Sequence, residues 1–320
     1  MHHPNFKDTI AASPYIFTIG VTGDSGSGKT TFTRGVRNIF GDDLVSTITL
    51  DDYHGLDRAG RFAAGITPLD PRANRIEQLE QDLIRLKRGV PVEKPSYNHA
   101  TGTFDPPAIF RPKKILILEG LHTLYTETLR KYLDFTLFVD PDREVKYDWK
   151  IRRDMNKRGY TREQVMREIT EREPEYERYI MPQREFADAV IGIGHSRYGR
   201  DAGRKWNVYR VTLVQKRLQQ SLGNIDLSLD LYSILSLSER NFALEFETGE
   251  KGGQRMGKMI MDGELSEHVV RKLEQNIERQ TRVSPISIFK HRQYVTAGDL
   301  AQLILCWRII HRRIFMETSR

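Results

Sequence analysis

A glycine-rich stretch between a predicted strand and a predicted helix constrains this chain more than any other feature. Residues 15–22 form a short apolar run with β-branched and aromatic side chains, which predicts a buried strand. Residues 30–40 are compatible with a helix. The residues between them fit the phosphate-loop pattern G-x-x-x-x-G-K-[ST], at Gly23, Gly28, Lys29 and Thr30. The stretch therefore predicts the strand, loop and helix of an α/β nucleotide-binding fold.

The spacing of this loop suits a triphosphate and a divalent cation. Glycines let backbone N–H groups approach phosphate oxygens, and the following helix presents its positive dipole end to the same anion. Lys29 would reach the β- and γ-phosphates, and the Thr30 hydroxyl would bind Mg²⁺. The predicted ATP-binding residues of the loop are Gly23, Asp24, Ser25, Gly26, Ser27, Gly28, Lys29, Thr30 and Thr31. The alternative is a glycine-rich turn that binds nothing.

Length, charge and hydropathy limit the class of protein. The 320 residues suffice for one large domain or two modest ones, and the net charge of +7 favours anionic partners such as nucleotides and sugar phosphates. Acidic residues are interspersed and no long basic run occurs, so we predict no nucleic-acid partner. No secretory signal and no apolar run long enough to span a bilayer is visible, which predicts a cytoplasmic protein without membrane association. The single cysteine, Cys306, is predicted to be a buried thiol.

Two carboxylates follow the second predicted strand, residues 45–50. Ligands of open α/β sheets bind at the carboxyl ends of strands, so Asp51 or Asp52 could orient and deprotonate an attacking hydroxyl. Either could instead cap a turn. Four arginines further along could bind a phosphorylated substrate or could be solvated surface residues: Arg58, Arg61, Arg72 and Arg75.

Two later segments add polar candidates. Prolines, Asn98 and Gly102 predict that residues 94–107 form a structured loop rather than a strand or helix. Its Tyr97 and His99 could contact a sugar, although a lone histidine is usually structural. Glu119 ends the apolar strand predicted at residues 113–120, where an acidic residue can complete a Mg²⁺ shell or simply end the strand.

A charged helical region predicts a lid. It begins at Lys146 and is broken by Gly159, after which Thr161 and Gln164 have the spacing of a capping box that starts a second helix. Such a helix pair could close over ATP and bring positive charge to the transferred phosphate, or it could be a solvated hairpin. The candidate lid arginines are Arg152, Arg153 and Arg158.

The remaining pattern completes an α/β fold. Apolar runs predict strands at residues 135–139 and 189–193, and alternating patterns predict strands at 207–214 and within 227–246. Helical spacing recurs at 76–86, 264–280 and 296–316. We predict a mostly parallel sheet flanked by helices, with a core at 13–215 that includes a lid at about 144–182. Residues 216–320 would be a C-terminal extension packed on that core, within one domain or two.

In order and spacing, several motifs together resemble the phosphoribulokinase family of plants and cyanobacteria: GDSGSGKTT, LDDYHGLDRAGR, EKPSYNHATG, ILEGLH and VKYDWKIRRDMNKRG. The resemblance covers residues 15–193 and extends more distantly to uridine kinases of the same P-loop kinase superfamily. It implies a nucleoside-monophosphate-kinase-like fold and ATP- and Mg²⁺-dependent phosphorylation of the C1 hydroxyl of ribulose 5-phosphate. It also implies a homodimer.

The resemblance assigns roles that the residues alone leave open. Asp51 becomes the base, and Lys29, Asp154 and Arg153 join it as catalytic residues. The residues implied to bind the sugar phosphate are Asp51, His54, Arg58, Tyr97 and His99. Thr30 and Glu119 remain the predicted Mg²⁺ ligands.

The chain departs from the resembling family at three positions. Ser27 and Thr49 stand where chloroplast members carry regulatory cysteines, so a thiol–disulfide switch of that kind cannot form. Phe62 replaces a basic residue, which leaves the set of groups around the sugar phosphate open. Other functions remain as alternatives, namely a uridine or other small-molecule kinase, or a nucleotide-dependent switch or nucleic-acid-stimulated NTPase. No N/T-K-x-D guanine motif of a GTP switch occurs.

Overall fold

The computed structural model describes residues 10–199, 203, 205, 207–216, 241–251, 253–281 and 292–318. Its chain divides into two compact units. We call Pro14–Thr33 with Val45–Asp188 the P-loop unit, and Met1–Ser13, Arg34–Leu44 and Ala189–Arg320 the C-terminal unit. The predicted boundary at residue 215 stays a prediction, and most of residues 216–241 lie outside the described part.

A parallel sheet forms the centre of the P-loop unit. Its strands in spatial order are β2, β5, β1 and β6, and each neighbouring pair is parallel. Both faces are covered, since every residue of β1 and β5 is buried. The strands of the unit are β1 (Phe17–Gly23), β2 (Val45–Thr49), β3 (Val92–Asn98), β4 (Thr103–Phe110), β5 (Ile115–Gly120) and β6 (Phe135–Pro141). The predicted α/β class and parallel sheet are confirmed.

Helices connect these strands and carry the polar segments. They are α1 (Lys29–Phe40), α2 (Arg58–Ala63), α3 (Ile76–Lys87), α4 (Glu127–Lys131), α5 (Arg143–Arg158) and α6 (Arg162–Glu175). The predicted lid break is confirmed: Gly159 has φ of 70° at the end of α5, and Thr161 and Gln164 form both hydrogen bonds of a capping box. The predicted helix pair with a break at Gly159 is therefore present, and its role as a lid stays a prediction.

The prediction of a loop at residues 94–107 is wrong. Strands β3 and β4 pair as an antiparallel hairpin, with Asn98 opposite Thr103. The prolines argued against a strand because they lack an N–H donor. In this two-stranded sheet, Pro95 lies where the register shifts between Lys94 and Ser96, a position at which a missing donor breaks no ladder bond.

The C-terminal unit is antiparallel. Its strands are β7 (Ala189–His195), β8 (Tyr209–Lys216), β9 (Phe242–Lys251), β10 (Gln254–Ser266) and β11 (Tyr294–Thr296). Strand β8 lies between β7 and β10, and β10 also pairs with β9 and β11. Helices α7 (Glu267–Thr281) and α8 (Ala297–Thr318) match the predicted positions, whereas the predicted strand region 227–240 lies outside the described residues.

Two sequence predictions in the C-terminal unit concern single residues. Thr296 and Asp299 hydrogen-bond each other reciprocally at the start of α8, as their spacing predicted. Cys306 is buried, and burial raises the pKa of its thiol. Among the described residues, no helix is both long and apolar enough to cross a membrane.

Candidate nucleotide and acceptor site

The phosphate loop joins β1 to α1. The Lys29 ammonium donates to the carbonyl oxygens of Gly23 at 2.9 Å and Asp24 at 2.7 Å, so it lies across the loop mouth. Burial lowers the pKa of Lys29, and the carboxylates of Glu119, Asp24 and Asp51 act against that effect. A cation partly stripped of water is well suited to bind phosphate oxygens.

A glycine is required where the loop meets the lid. Gly28 has φ of 99°, and a Cβ added there would lie 3.2 Å from the Trp149 ring of α5. A side chain at this position would suffer both backbone strain and a close contact with the indole. The tight fit keeps the phosphate loop and helix α5 in direct contact.

The predicted metal ligands are in contact. Thr30 Oγ1 donates to Glu119 Oε1 at 2.5 Å, and Thr33 Oγ1 donates to Glu119 Oε2 at 2.7 Å. A hydroxyl and a carboxylate are hard oxygen donors of the kind that Mg²⁺ prefers. The described residues contain no cluster of three or more His, Cys, Asp or Glu that could hold a metal. This sparse set fits Mg²⁺, which protein sites usually hold through one or two side chains together with phosphates and water.

Asp51 lies just beyond β2, in a short helical turn at Leu50–Tyr53. Its Oδ2 is 3.3 Å from His99 Nε2, and its side chain is 36% exposed. Partial burial raises the pKa of Asp51, but the hydrogen bond from His99 and the nearby charges of His54, His99 and Lys29 outweigh burial and lower the pKa to about 2. Asp51 is therefore an ionised, accessible acceptor facing the phosphate-loop lysine.

Asp52 has a different environment. Its Oδ2 is paired with the Lys94 ammonium, and its Oδ1 accepts a 3.0 Å hydrogen bond from the Tyr97 backbone. Both carboxylate oxygens therefore tie the end of β2 to β3. The geometry leaves Asp51, and not Asp52, available to a substrate.

His54 is fixed in orientation by Asn74. Asn74 Nδ2 donates to the carbonyl oxygens of Pro68 at 3.1 Å and Asp70 at 2.9 Å, so its Oδ1 must accept from His54 Nδ1, at 2.9 Å. Burial lowers the pKa of His54, against the opposing effect of Asp51. The ring packs edge-on against Tyr97 at 4.9 Å, and Tyr97 packs likewise against His99 at 5.1 Å. Three of the predicted acceptor residues thus form one aromatic cluster.

Arg58 and Arg61 lie about one turn apart in α2 but have different contacts. Arg58 is exposed, and its Nη2 donates to His99 O at 2.7 Å. Arg61 is 7% exposed, and its two terminal nitrogens donate to Leu56 O at 2.5 Å and to the Tyr97 hydroxyl at 2.8 Å. Arg61 therefore supports Tyr97, while Arg58 can reach a ligand.

Helix α5, the first helix of the predicted lid, places one arginine against the phosphate loop. Arg153 Nη1 and Nη2 each lie 3.3 Å from Ser25 Oγ. The fully buried Asp154 holds this guanidinium, accepting from its Nε at 2.8 Å and its Nη2 at 3.2 Å. Lys150 contacts both Asp154 and Glu168, and Arg172 contacts Glu168, so three cations share two carboxylates. The cluster retains positive charge beside the loop.

Three further predicted ATP-binding residues lie in the phosphate loop or on α5. Asp24 is paired with Lys146 of α5 at 3.0 Å. Burial raises the pKa of the Asp24 carboxyl, but Lys146, Arg172 and Lys29 outweigh burial and lower the pKa overall. Arg152 is exposed, and no hydrogen bond or ion pair holds it among the described residues. The side chain of Arg158 lies outside the described part. The contacts of Arg152 and Arg158 with ATP stay predictions.

His122 is a site residue that sequence reasoning missed. It follows β5 three residues after Glu119, is 3% exposed, and lines a small pocket together with Asp51. Neither ring nitrogen makes a hydrogen bond of normal geometry among the described residues, although the Pro68 carbonyl lies near the ring. Burial lowers the pKa of His122 to about 4, against the effect of the Pro68 carbonyl, so the ring is neutral at physiological pH. The clue in the sequence was its position beyond the carboxyl end of a central strand.

Comparison with known proteins gives consistent results. Residues 18–197 match the Phosphoribulokinase / Uridine kinase family. The chain is 47% identical over 201 residues to a phosphoribulokinase of Synechocystis sp., covering 63% of this chain and 60% of the relative. It is 42% identical over 205 residues to a chloroplastic phosphoribulokinase of Arabidopsis thaliana, covering 59% and 52%. The match thus spans only half to three-fifths of these relatives.

One further relative and one solved structure match the chain over different shares of their own length. A uridine kinase of Streptococcus equi subsp. zooepidemicus is 32% identical over 212 residues, which are 65% of this chain and 97% of the relative. The solved phosphoribulokinase of Rhodobacter spheroides has a TM-score of 0.55 at 18% identity, covering 94% of this chain and 99% of that one, and it supports the fold alone. The match to residues 18–197 includes more than half of the sequence, so the chain belongs to the phosphoribulokinase / uridine kinase family.

Proposed function

We propose that the protein transfers the γ-phosphoryl group of ATP to the C1 hydroxyl of ribulose 5-phosphate and so forms ribulose 1,5-bisphosphate and ADP. The observation that carries this proposal is the placement of Asp51, a partly exposed carboxylate that lies near Lys29 and contacts His99, whose backbone carbonyl accepts from Arg58. A phosphoryl donor site and a cationic acceptor site then share one base. The names of the cyanobacterial and plant relatives agree with this reaction.

Asp51 would orient the attacking hydroxyl. A carboxylate whose pKa is lowered to about 2 is a weak base, so deprotonation of the hydroxyl before attack is unfavourable. In a loose phosphoryl-transfer transition state the hydroxyl proton becomes acidic only as the new P–O bond forms. Asp51 Oδ2 would hold the hydroxyl in line and receive its proton late.

The remaining residues would balance charge on the transferred group. The Lys29 ammonium would exchange its two loop carbonyls for phosphate oxygens, and Arg153, held by Asp154, would approach from the lid. Mg²⁺ bound near Thr30 and Glu119 would neutralise β- and γ-phosphate charge. Closure of the lid would exclude water, which otherwise competes as acceptor.

An acceptor panel tests the substrate. With ATP and Mg²⁺, we expect ADP release in a coupled assay to be fastest with ribulose 5-phosphate among pentose phosphates and nucleosides. Turnover of uridine without turnover of ribulose 5-phosphate would assign the runner-up function, uridine kinase, which the Streptococcus relative carries by name. ATP hydrolysis stimulated by RNA or DNA without phosphorylation of any sugar would instead indicate the switch or NTPase class.

Arg58→Ala tests the acceptor side. We expect this change to raise KM for ribulose 5-phosphate by about 10-fold to 100-fold, because a charge-assisted contact worth about 1.5–3 kcal/mol is lost. The exposed guanidinium contributes little to folding, so KM for ATP and the melting temperature should stay near their wild-type values. An effect on ATP alone would contradict the assignment.

Location and assembly complete the proposal. We propose a cytoplasmic enzyme that acts as a homodimer and takes no nucleic-acid partner, as the charge pattern and the family resemblance imply. Sedimentation of the purified chain tests the dimer directly.

A further inference from the structure

Arg72 and Arg75, beside the acceptor site, differ in their contacts within the protein. Arg72 and Arg75 flank the same short segment, three residues apart. Arg72 Nε lies 3.0 Å from both carboxylate oxygens of Asp70, and its Nη2 lies 2.5 Å from Oδ2. Its charge is therefore already neutralised by the protein. A ligand at Arg72 would have to compete with this bidentate pairing to Asp70.

Arg75 is exposed and unneutralised. Its guanidinium lies over the Phe104 ring at 5.1 Å, and within the described part of the chain it makes no ion pair and no side-chain hydrogen bond. Stacking on a ring orients a guanidinium but leaves its N–H donors free at the edge. The backbone N–H of Arg75 donates to Tyr53 O at 2.7 Å, which fixes the residue to the turn that carries Asp51.

Phe104 connects Arg75 to the acceptor cluster. Its ring packs edge-on against Tyr97 at 5.6 Å, and Tyr97 contacts both His54 and His99. Arg58 borders the same hairpin at its turn, where its backbone N–H donates to Gly102 O at 2.8 Å. The two exposed guanidinium groups therefore lie on one hairpin, near its turn.

The pocket beside Asp51 brings Arg75 to the reaction centre. Asp51, Asn74, Arg75 and His122 all line it, and it is open to solvent at its mouth. The Asn74 side chain accepts a hydrogen bond from His54, and the lowered pKa of His122 leaves that ring neutral. Among the described residues that line this pocket with the proposed base, Arg75 is the one basic side chain expected to carry a charge at neutral pH. An anionic ligand that reaches Asp51 would be attracted to it.

We propose that Arg75 is a specificity-determining residue that binds the phosphate of the acceptor together with Arg58. This inference rests on the proposed function, because it assumes a phosphorylated sugar. Arg58 would hold the phosphate from the hairpin turn and Arg75 from the Phe104 side. Arg61, turned inward, and Arg72, paired with Asp70, would take no direct part.

Three variants test the proposal: Arg75→Gln, Arg75→Lys and, as the matched control, Arg72→Gln. Arg75→Gln should raise KM for ribulose 5-phosphate about 10-fold to 100-fold, with Arg75→Lys between it and the wild type, since an ammonium retains charge but not the planar fork. Arg72→Gln should leave this KM nearly unchanged. KM for ATP should be unaffected by all three, and melting temperatures confirm that each variant is folded.

Calorimetric binding of ribulose 5-phosphate, with a non-hydrolysable ATP analogue present, separates the inference from the proposed function. Binding that weakens in Arg75→Gln but not in Arg72→Gln supports the inference even if no turnover occurs. The absence of turnover then rejects the proposed function alone. Normal turnover by the wild type, together with an Arg75→Gln variant whose affinity for ribulose 5-phosphate is unchanged, overturns the inference and leaves the proposed function standing. Equal losses of affinity in Arg75→Gln and Arg72→Gln would indicate a nonspecific effect of positive charge and would also overturn the inference. Absence of any binding by the wild type overturns both.

Discussion

Asp51→Asn is expected to lower kcat for sugar phosphorylation by about 10²-fold to 10⁴-fold while leaving ATP binding near normal. The amide is nearly isosteric, so the turn at Leu50–Tyr53 and the contact with His99 can persist. It cannot receive a proton, and it orients the hydroxyl less well than a carboxylate. Steady-state kinetics with a direct measurement of nucleotide affinity would separate these effects.

Asp52→Asn is the matched control. Its Oδ1 can still accept from the Tyr97 backbone, and only the pairing with Lys94 is weakened. We expect kcat to remain within an order of magnitude of the wild type. If Asp52→Asn proved severe and Asp51→Asn mild, the assignment of the base would be wrong.

The low pKa of Asp51 adds a pH criterion. A group with a pKa of about 2 is ionised throughout the mildly acidic and neutral range, so protonation of Asp51 should not reduce kcat/KM between about pH 5 and pH 8. Any loss in that range must come from another group. The Asp51→Asn variant should therefore keep the acid limb of the wild-type profile at a lower overall rate.

Glu119→Gln is expected to raise the Mg²⁺ concentration for half-maximal activity by about 10-fold to 100-fold, as changes in the outer shell of a metal commonly do. Glu119 accepts from both Thr30 and Thr33, and a glutamine retains only one oxygen for these roles. It also removes the negative charge that attracts the cation. Activity titrated with Mg²⁺ at saturating ATP gives the measurement.

Thr30 and Thr33 offer an internal comparison, since both donate to Glu119 but only Thr30 is a predicted metal ligand. Thr30→Val should shift the Mg²⁺ requirement more than Thr33→Val. Equal small effects of both, or a Glu119→Gln variant whose rate falls with no change in Mg²⁺ requirement, would exclude Glu119 and Thr30 from the metal site.

Much of the site was predictable because its residues follow strand ends. The phosphate loop follows β1, Asp51 lies beyond β2, and Glu119 is the penultimate residue of β5, and parallel strands bring such positions together. The choice between Asp51 and Asp52 was different. It depends on Lys94 and the Tyr97 backbone, more than 40 residues away in the sequence, and the hairpin that carries them was itself predicted as a loop.

The arginines illustrate the same limit. Local spacing could have predicted the pairing of Arg72 with Asp70, two residues earlier. The inward turn of Arg61 could not be predicted, because it depends on the Tyr97 hydroxyl of β3. His122 was also missed: its position after a strand was visible, but its burial against the pocket beside Asp51 depends on the fold.

The close fit of Trp149 against Gly28 gives the protein a built-in optical reporter. The emission of an indole responds to nearby charge, and ATP bound at the loop would bring its phosphates next to this ring. Of the other two tryptophans, Trp307 is buried in the C-terminal unit, so its emission should vary less, and Trp206 lies outside the described residues. A Trp149→Phe variant isolates the signal of Trp149. Fluorescence titration could then follow nucleotide binding without a label, including in the Asp51→Asn variant, where turnover is too slow to consume the ligand.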